Sequence, residues 1–164
     1  MGMGTDHLVL DRQLCFAVHA ASRAFDAAYR QVLRDLDLGL TYPQYLAMMV
    51  LWERGPVTVK ELGLALRLDS GTLSPLLKRL EAAGHVRRER SAADERSVIV
   101  RLTPAGAALR ERAQQVPLAI GRATGLTRDG AMALHGMLGE LTATLDAYVS
   151  RGGPAEDQAG GTGR

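Results

Sequence analysis

Only one cysteine, Cys15, occurs in the 164 residues, and aromatic side chains make up only 4% of them. A single thiol excludes an internal disulfide framework and any Cys-rich zinc site. With so few aromatics, Leu, Val and Ala must do most of the packing, and the 46% hydrophobic content suffices for a core. No apolar run approaches the roughly 18 residues that cross a bilayer, so no membrane partner is expected. The N-terminus lacks a basic stretch followed by an apolar one. The expectation is therefore no signal peptide and a cytoplasmic location, where a lone thiol stays reduced until something oxidises it. His7, His19, His85 and His135 lack ligand-like spacing and acidic partners, so neither a metal nor another cofactor is expected.

A strong overall charge is missing as well: the formal net charge is +2. Its distribution is more informative. Residues 57–101 hold nine Lys/Arg against six Asp/Glu, a net of +3, and the remainder carries a net of −1. A nucleic-acid face, if there is one, belongs to that middle third.

Hydrophobic spacing organises the rest. Leu10, Leu14, Ala17, Ala21, Phe25, Ala28, Val32 and Leu36 recur at helical steps and predict one long amphipathic helix from Leu10 to about Leu36, stopped by Gly39. Thr41 is placed to cap a second helix with Tyr42 and Pro43 in its first turn. After the Gly55-Pro56 turn, Thr58 and Glu61 have capping-box spacing for a short third helix. A fourth runs from about Ser70 to Ala83 and ends at Gly84. Val86 and the β-branched run Val98, Ile99 and Val100 predict a two-stranded hairpin around the polar residues 92–95. Thr103-Pro104 opens a fifth helix, which Pro117 should bend or end, and residues 127–149 form the last. Trp52 reads as core. The Gly-rich tail, 151–164, reads as disordered.

Two short helices joined by a tight turn and followed by a hairpin make a winged helix-turn-helix, mainly α with a small β-hairpin wing. The second short helix would enter the major groove. Its first turns carry Ser70, Thr72, Ser74 and Pro75, which are small enough to let the helix approach base edges, and the hydroxyls can bond bases or phosphates. Lys78 and Arg79 follow one turn later, placed for phosphate. The wing adds Arg87, Arg88, Arg90 and Arg96. An arginine at a hairpin tip suits a minor groove, and Asp94 would hold Arg96 in a bidentate pair. The alternative is a solvated helix end beside an ordinary surface salt bridge.

Residues 94–106, DERSVIVRLTPAG, resemble the wing signature of the MarR family, with its Asp-x-Arg tip and Leu-Thr-x-x-Gly helix start. The stretch LDSGTLSPLLKRLEAAGHVRRERS is similar to that family's recognition helix and first wing strand. The resemblance covers nearly the whole chain except the tail. It implies one domain over 8–150, with 57–102 as the DNA-binding winged helix and 8–40 and 104–150 as dimerisation helices. It implies a homodimer that reads a two-fold symmetric double-stranded operator, as a repressor and not an enzyme.

Within that family, LDRQLCFAVHAASRAFDAAYRQVL followed by TYPQYLAMMVLWE resembles the organic-hydroperoxide-resistance branch, in its one-cysteine form. The resemblance makes Cys15 the sensor and Tyr29 and Tyr42 the tyrosines that surround it from the partner subunit. Peroxide is attacked by thiolate, so such a sensor needs donors beside it, and a phenol is a neutral donor that tolerates an apolar pocket. Leu14, Phe16, Met48 and Met49 would supply a greasy wall that favours organic hydroperoxides.

The chain departs from the branch at three points. His19 stands four residues after Cys15, where a tyrosine is common, and at i+4 it reaches the same helix face. The Leu-Asp-Leu-Gly-Leu stretch before Tyr42 is longer than usual, which would displace Tyr42 from the pocket. Residues 121–126 lack the resolving cysteine of some members, so oxidation would end at a sulfur acid or at a mixed disulfide with a low-molecular-weight thiol. Two rival readings remain: a MarR-type repressor released by a small aromatic ligand with Cys15 uninvolved, and a thiol peroxidase.

Overall fold

In the computed structural model, the described residues are 8–92, 94 and 96–152. They divide into two compact units, one reaching to Ala123 and the other beginning at Thr124. The tail reading falls, beyond Gly152, outside the described residues.

The first unit opens with a single 3₁₀ turn, Leu10–Arg12, and Gln13 is extended. Helix α1 therefore spans Leu14–Asp35 and starts later than the apolar spacing suggests. The leucine pattern continues through Leu10, but an extended residue at Gln13 interrupts the backbone ladder. Along α1 only Leu33 is buried, while Ala28, Tyr29, Val32 and Leu36 pack partly against the core. Its N-terminal half is largely exposed among the described residues of this unit; Leu14 is 64% exposed.

Asp37 and Gly39 both take positive φ between α1 and α2, Tyr42–Arg54. Arg112 donates to the Asp37 carbonyl at 2.9 Å and pins this turn. At the start of α2 the buried Gln44 side chain accepts from the Thr41 N–H, 2.8 Å, satisfying a donor the helix cannot. Thr58 serves two elements. It ends strand β1, Val57–Thr58, and its hydroxyl accepts from Glu61 N–H to cap α3, Val59–Leu66, while Glu61 accepts from Thr58 N–H. Helix α4, Ser70–Ala82, buries Leu73, Leu76, Leu77 and Leu80 on one face. Each such leucine is worth about 1.5–3 kcal/mol of burial.

The wing strands are β2, Val86–Arg90, and β3, Val98–Leu102. The expected two-stranded hairpin is one strand short of the observed sheet, whose order is β1-β3-β2 and wholly antiparallel. Two residues carry too little alternation to announce β1 in sequence; only the pairing of Val57 with Val100 and Thr58 with Ile99 makes them a strand. Helix α5, Pro104–Ala113, is capped by Thr103, whose hydroxyl accepts from Gly106 N–H. The break after Ala113 follows from Pro117, whose ring conflicts with the carbonyl four residues back. The chain resumes as α6, Gln115–Thr124.

Helix α7, Arg128–Ser150, makes up most of the described part of the second unit, and Thr127 caps it by accepting from Gly130 N–H. It has no buried residue, although it carries Met132, Leu134, Met137, Leu138, Leu145, Tyr148 and Val149. No helix among the described residues is long and apolar enough to cross a membrane.

Candidate nucleic-acid interface and thiol site

The α3–α4 turn is built tightly. Arg67 adopts a left-handed conformation at the end of α3. Asp69 then caps α4, its carboxylate accepting from Thr72 N–H at 2.8 Å and from the Thr72 hydroxyl at 3.0 Å. These bonds hold the Asp69 carboxyl below its usual range, the backbone donor contributing most. With the leucines turned inward, Ser70, Gly71, Ser74, Pro75, Lys78 and Arg79 lie exposed on the other side. The small residues precede the basic ones along that face, as a helix entering a groove by its N-terminal end requires.

In the wing, Arg87 and Arg101 stand directly opposite each other in the β2–β3 register, a repulsive pair. Glu89 resolves it by bonding Arg87 at 2.8 Å and Arg101 at 3.1 Å. Arg88 gives its guanidinium to Glu81 at the end of α4, at 2.7 and 3.0 Å, and its N–H goes to the other oxygen of the same carboxylate at 3.0 Å. The Arg88 side chain holds the Glu81 carboxyl below its usual range, with the Arg88 N–H adding to the effect. Helix α4 and the wing are thereby clamped. At the tip, Asp94 accepts from the Arg96 N–H at 3.0 Å and from the Ser97 hydroxyl at 2.7 Å. The bidentate Asp94–Arg96 side-chain pair expected from sequence is replaced by these turn bonds, whose donors are the backbone N–H of Arg96 and the short hydroxyl of Ser97. Among the described residues, Lys78, Arg79, Arg90 and Arg96 have no carboxylate partner and face solvent.

Cys15 lies in the first turn of α1 and is exposed, with His19 one turn further along the same exposed face. Tyr29 and Tyr42 stack at 4.0 Å between ring centroids. Burial, with Tyr42 and Tyr45 adding to it, pushes the Tyr29 phenol up to about 12. It stays a proton donor across the physiological range. Burial also raises Tyr42, helped by the Asp26 carboxylate. Fourteen residue steps along continuous α1 lead from Cys15 to Tyr29, which is about 21 Å along a helix axis. One chain cannot close a Cys15–Tyr29–Tyr42 site.

Residues 31–112 match the family model described as transcriptional regulator SarA/Rot. The HTH-type transcriptional regulator TtmR of Methylorubrum extorquens is 49% identical over 155 residues, 94% of this chain and 77% of that protein. The chain belongs to the MarR-type winged-helix regulators. The organic hydroperoxide resistance transcriptional regulator of Bacillus subtilis is 44% identical to this MarR-type chain over 141 residues, 86% of it and 92% of the relative. A solved structure of reduced AbfR bound to DNA superposes with a TM-score of 0.72 at 35% identity, over 85% of this chain and 94% of that one. The MarR-type chain is thus a DNA-binding transcriptional regulator and not an enzyme.

The fold of this MarR-type regulator gathers Ser70, Thr72, Ser74, Pro75, Lys78 and Arg79 on α4, and Arg90, Asp94 and Arg96 on the wing. Arg88 is held by Glu81, a carboxylate seven residues away across Gly84 that carries no sequence signal. In the loop before Tyr42, Asp37 and Gly39 take positive φ, Leu38 and Leu40 are buried, and Tyr42 stacks on Tyr29 of the same chain. The expected apolar wall does not assemble in one chain, since Met48 is wholly buried in the core while Leu14 and Met49 are exposed. Gly106 has a packing role beside that of Glu81. A Cβ on Gly106 would stand 1.9 Å from the His85 carbonyl oxygen, so the glycine of Leu-Thr-x-x-Gly lets α5 seat against β2.

Proposed function

We propose that this regulator is a homodimeric repressor that reads a two-fold symmetric operator and releases it when an organic hydroperoxide oxidises Cys15. The observation that carries the reading is the separation along α1. Tyr29 and Tyr42 form a stacked pair with no thiol of their own chain in reach, and Cys15 sits exposed at the other end of the helix. A second copy running antiparallel brings each thiol to the other's tyrosines. The same second copy covers Leu14, Phe25 and the apolar side chains of α7, which nothing in their own units buries. The relative from B. subtilis, named for organic hydroperoxide resistance, supports the choice of effector.

In the proposed chemistry the Cys15 thiolate attacks the outer peroxide oxygen, the O–O bond breaks, and an alcohol leaves after protonation. Cys15 is left as a sulfenic acid. A low-molecular-weight thiol condenses with it, forming a mixed disulfide and releasing water. No second cysteine is available in the chain to resolve it internally. Tyr29 and Tyr42 would donate to the thiolate, and His19, one turn along, would supply a further donor. A bulky adduct among packed helices shifts the population toward a dimer whose recognition helices no longer match the operator spacing. On the DNA, Ser70, Thr72, Ser74 and Pro75 would approach base edges and Lys78 and Arg79 the phosphates. Arg90 and Arg96 would follow the minor groove, with Asp94 shaping the tip.

The test is operator binding with and without a stoichiometric organic hydroperoxide plus a small thiol, for the wild type and Cys15→Ser. Release by the wild type alone supports the thiol switch, and mass spectrometry then names the adduct. Equal release by both proteins, or by neither, refutes it and favours a ligand-responsive repressor.

A further inference from the structure

The hydrogen-bond ladder of α4 is interrupted on the face turned away from the core. Pro75 lies inside this helix and has no N–H, so the Gly71 carbonyl, four residues earlier, lacks its usual donor. A proline ring also crowds the carbonyl four residues before it. Both residues are exposed, in line with Ser74 and Lys78 and opposite the buried leucines. Gly71 has no side chain to screen its own oxygen. The cap explains why: a Cβ there would come within 3.0 Å of Asp69 Oδ1. No side chain among the described residues bonds this oxygen, and a carbonyl oxygen offers two acceptor lone pairs.

We propose that Pro75 turns the Gly71 carbonyl oxygen into a base-reading acceptor, which takes a hydrogen bond from the exocyclic amino group of an adenine or a cytosine in the major groove. Those amino groups are the donors that groove offers, and guanine and thymine present acceptors instead. A hydroxyl such as Ser74 can both donate and accept, and so tolerates either. A carbonyl only accepts, so it excludes guanine and thymine edges at its position. Pro75 acts here as a positioning residue through Gly71. The inference rests on α4 being the helix that enters the groove.

The test uses an operator duplex selected by the full chain from random DNA. Within one half-site each adenine is replaced in turn by purine, which lacks the N6 amino group. Each cytosine is replaced by pyrimidin-2-one, which lacks the N4 amino group. Three proteins are compared: the wild type, Pro75→Ala, and a chain carrying lactate at position 75, an ester with neither N–H nor ring. At one position the deletion should weaken the wild type about 3- to 10-fold, the effect of one neutral hydrogen bond. Pro75→Ala, whose new N–H occupies the carbonyl, should be indifferent there, and the lactate chain should keep the wild-type sensitivity. Equal responses of the wild type and Pro75→Ala at every position would overturn the inference. So would a lactate chain that behaves like Pro75→Ala, because the ring itself would then make the contact. If the wild type selects no duplex at all, the groove-entering role of α4 falls, and this inference with it.

Discussion

Replacing Gly106 by alanine tests the packing of the wing against α5 by the sign of its effect. On helix propensity alone, alanine in α5 should stabilise the protein by about 1 kcal/mol. The structure opposes this, because the new Cβ would lie 1.9 Å from the His85 carbonyl oxygen and 2.8 Å from its carbon, a rigid backbone group. Relief requires α5 to move away from β2. Such overpacking costs typically about 1–3 kcal/mol. The same movement strains two hydrogen bonds, from Thr103 N–H to the His85 carbonyl and from the Trp52 indole N–H to the Gly106 carbonyl, both 3.0 Å. Each is worth about 0.5–1.5 kcal/mol. The net expectation is a loss of about 2–3 kcal/mol, or a fall in Tm of about 5–10 °C for a chain of this size. Urea and thermal unfolding measure it, and fluorescence of the single tryptophan reports on the Trp52 bond directly. A Gly106→Ala protein as stable as the wild type, or more so, would refute the close approach.

The Glu81–Arg88 clamp makes a prediction that simple charge counting reverses. Glu81→Ala removes a negative charge near the DNA face, yet it should weaken operator binding, because the wing loses its hold on α4. Arg88→Ala should weaken binding with little change in salt dependence, whereas Arg96→Ala should reduce the slope of log K against log salt by about one. Stronger binding by Glu81→Ala would show that Arg88 belongs to the DNA. The third prediction concerns acid. Asp69 and Asp94 are both held below the ordinary Asp value of 3.8 by hydrogen bonds made in the folded state. A depressed carboxylate contributes stability that is present above the unfolded pKa and is lost as pH falls through the folded one. Stability should therefore decline as the pH drops below about 4. Asp69→Asn keeps the cap, since asparagine is an equally good N-cap, and should flatten that decline in a series of unfolding curves. An unchanged acid limb in Asp69→Asn would count against the cap as its source.

Local signals in the sequence determined the helix-turn-helix and its boundaries. Thr58 with Glu61, the Thr103-Pro104 start, Gly84 and the inward stripe of Leu73, Leu76, Leu77 and Leu80 all act within one turn. Their physics is therefore visible in residue spacing. The exposed Ser, Thr, Pro, Lys and Arg side of α4 follows from the same stripe, because what is not turned inward must face out. Tertiary structure decided what depends on residues that meet across the fold. Arg88 looks like one more wing arginine until the β2 register aims it at Glu81. Met48 looks like pocket wall until the packing of α2 buries it, and Val57–Thr58 is a strand only because β3 lies beside it. Tyr29 and Tyr42 meet across the α1–α2 turn, which includes two positive-φ residues, and backbone dihedrals leave little trace in composition. The distance from Cys15 to those tyrosines is set by a rigid helix of known rise. The family resemblance names the three residues, while the length of α1 decides that no single copy can bring them together.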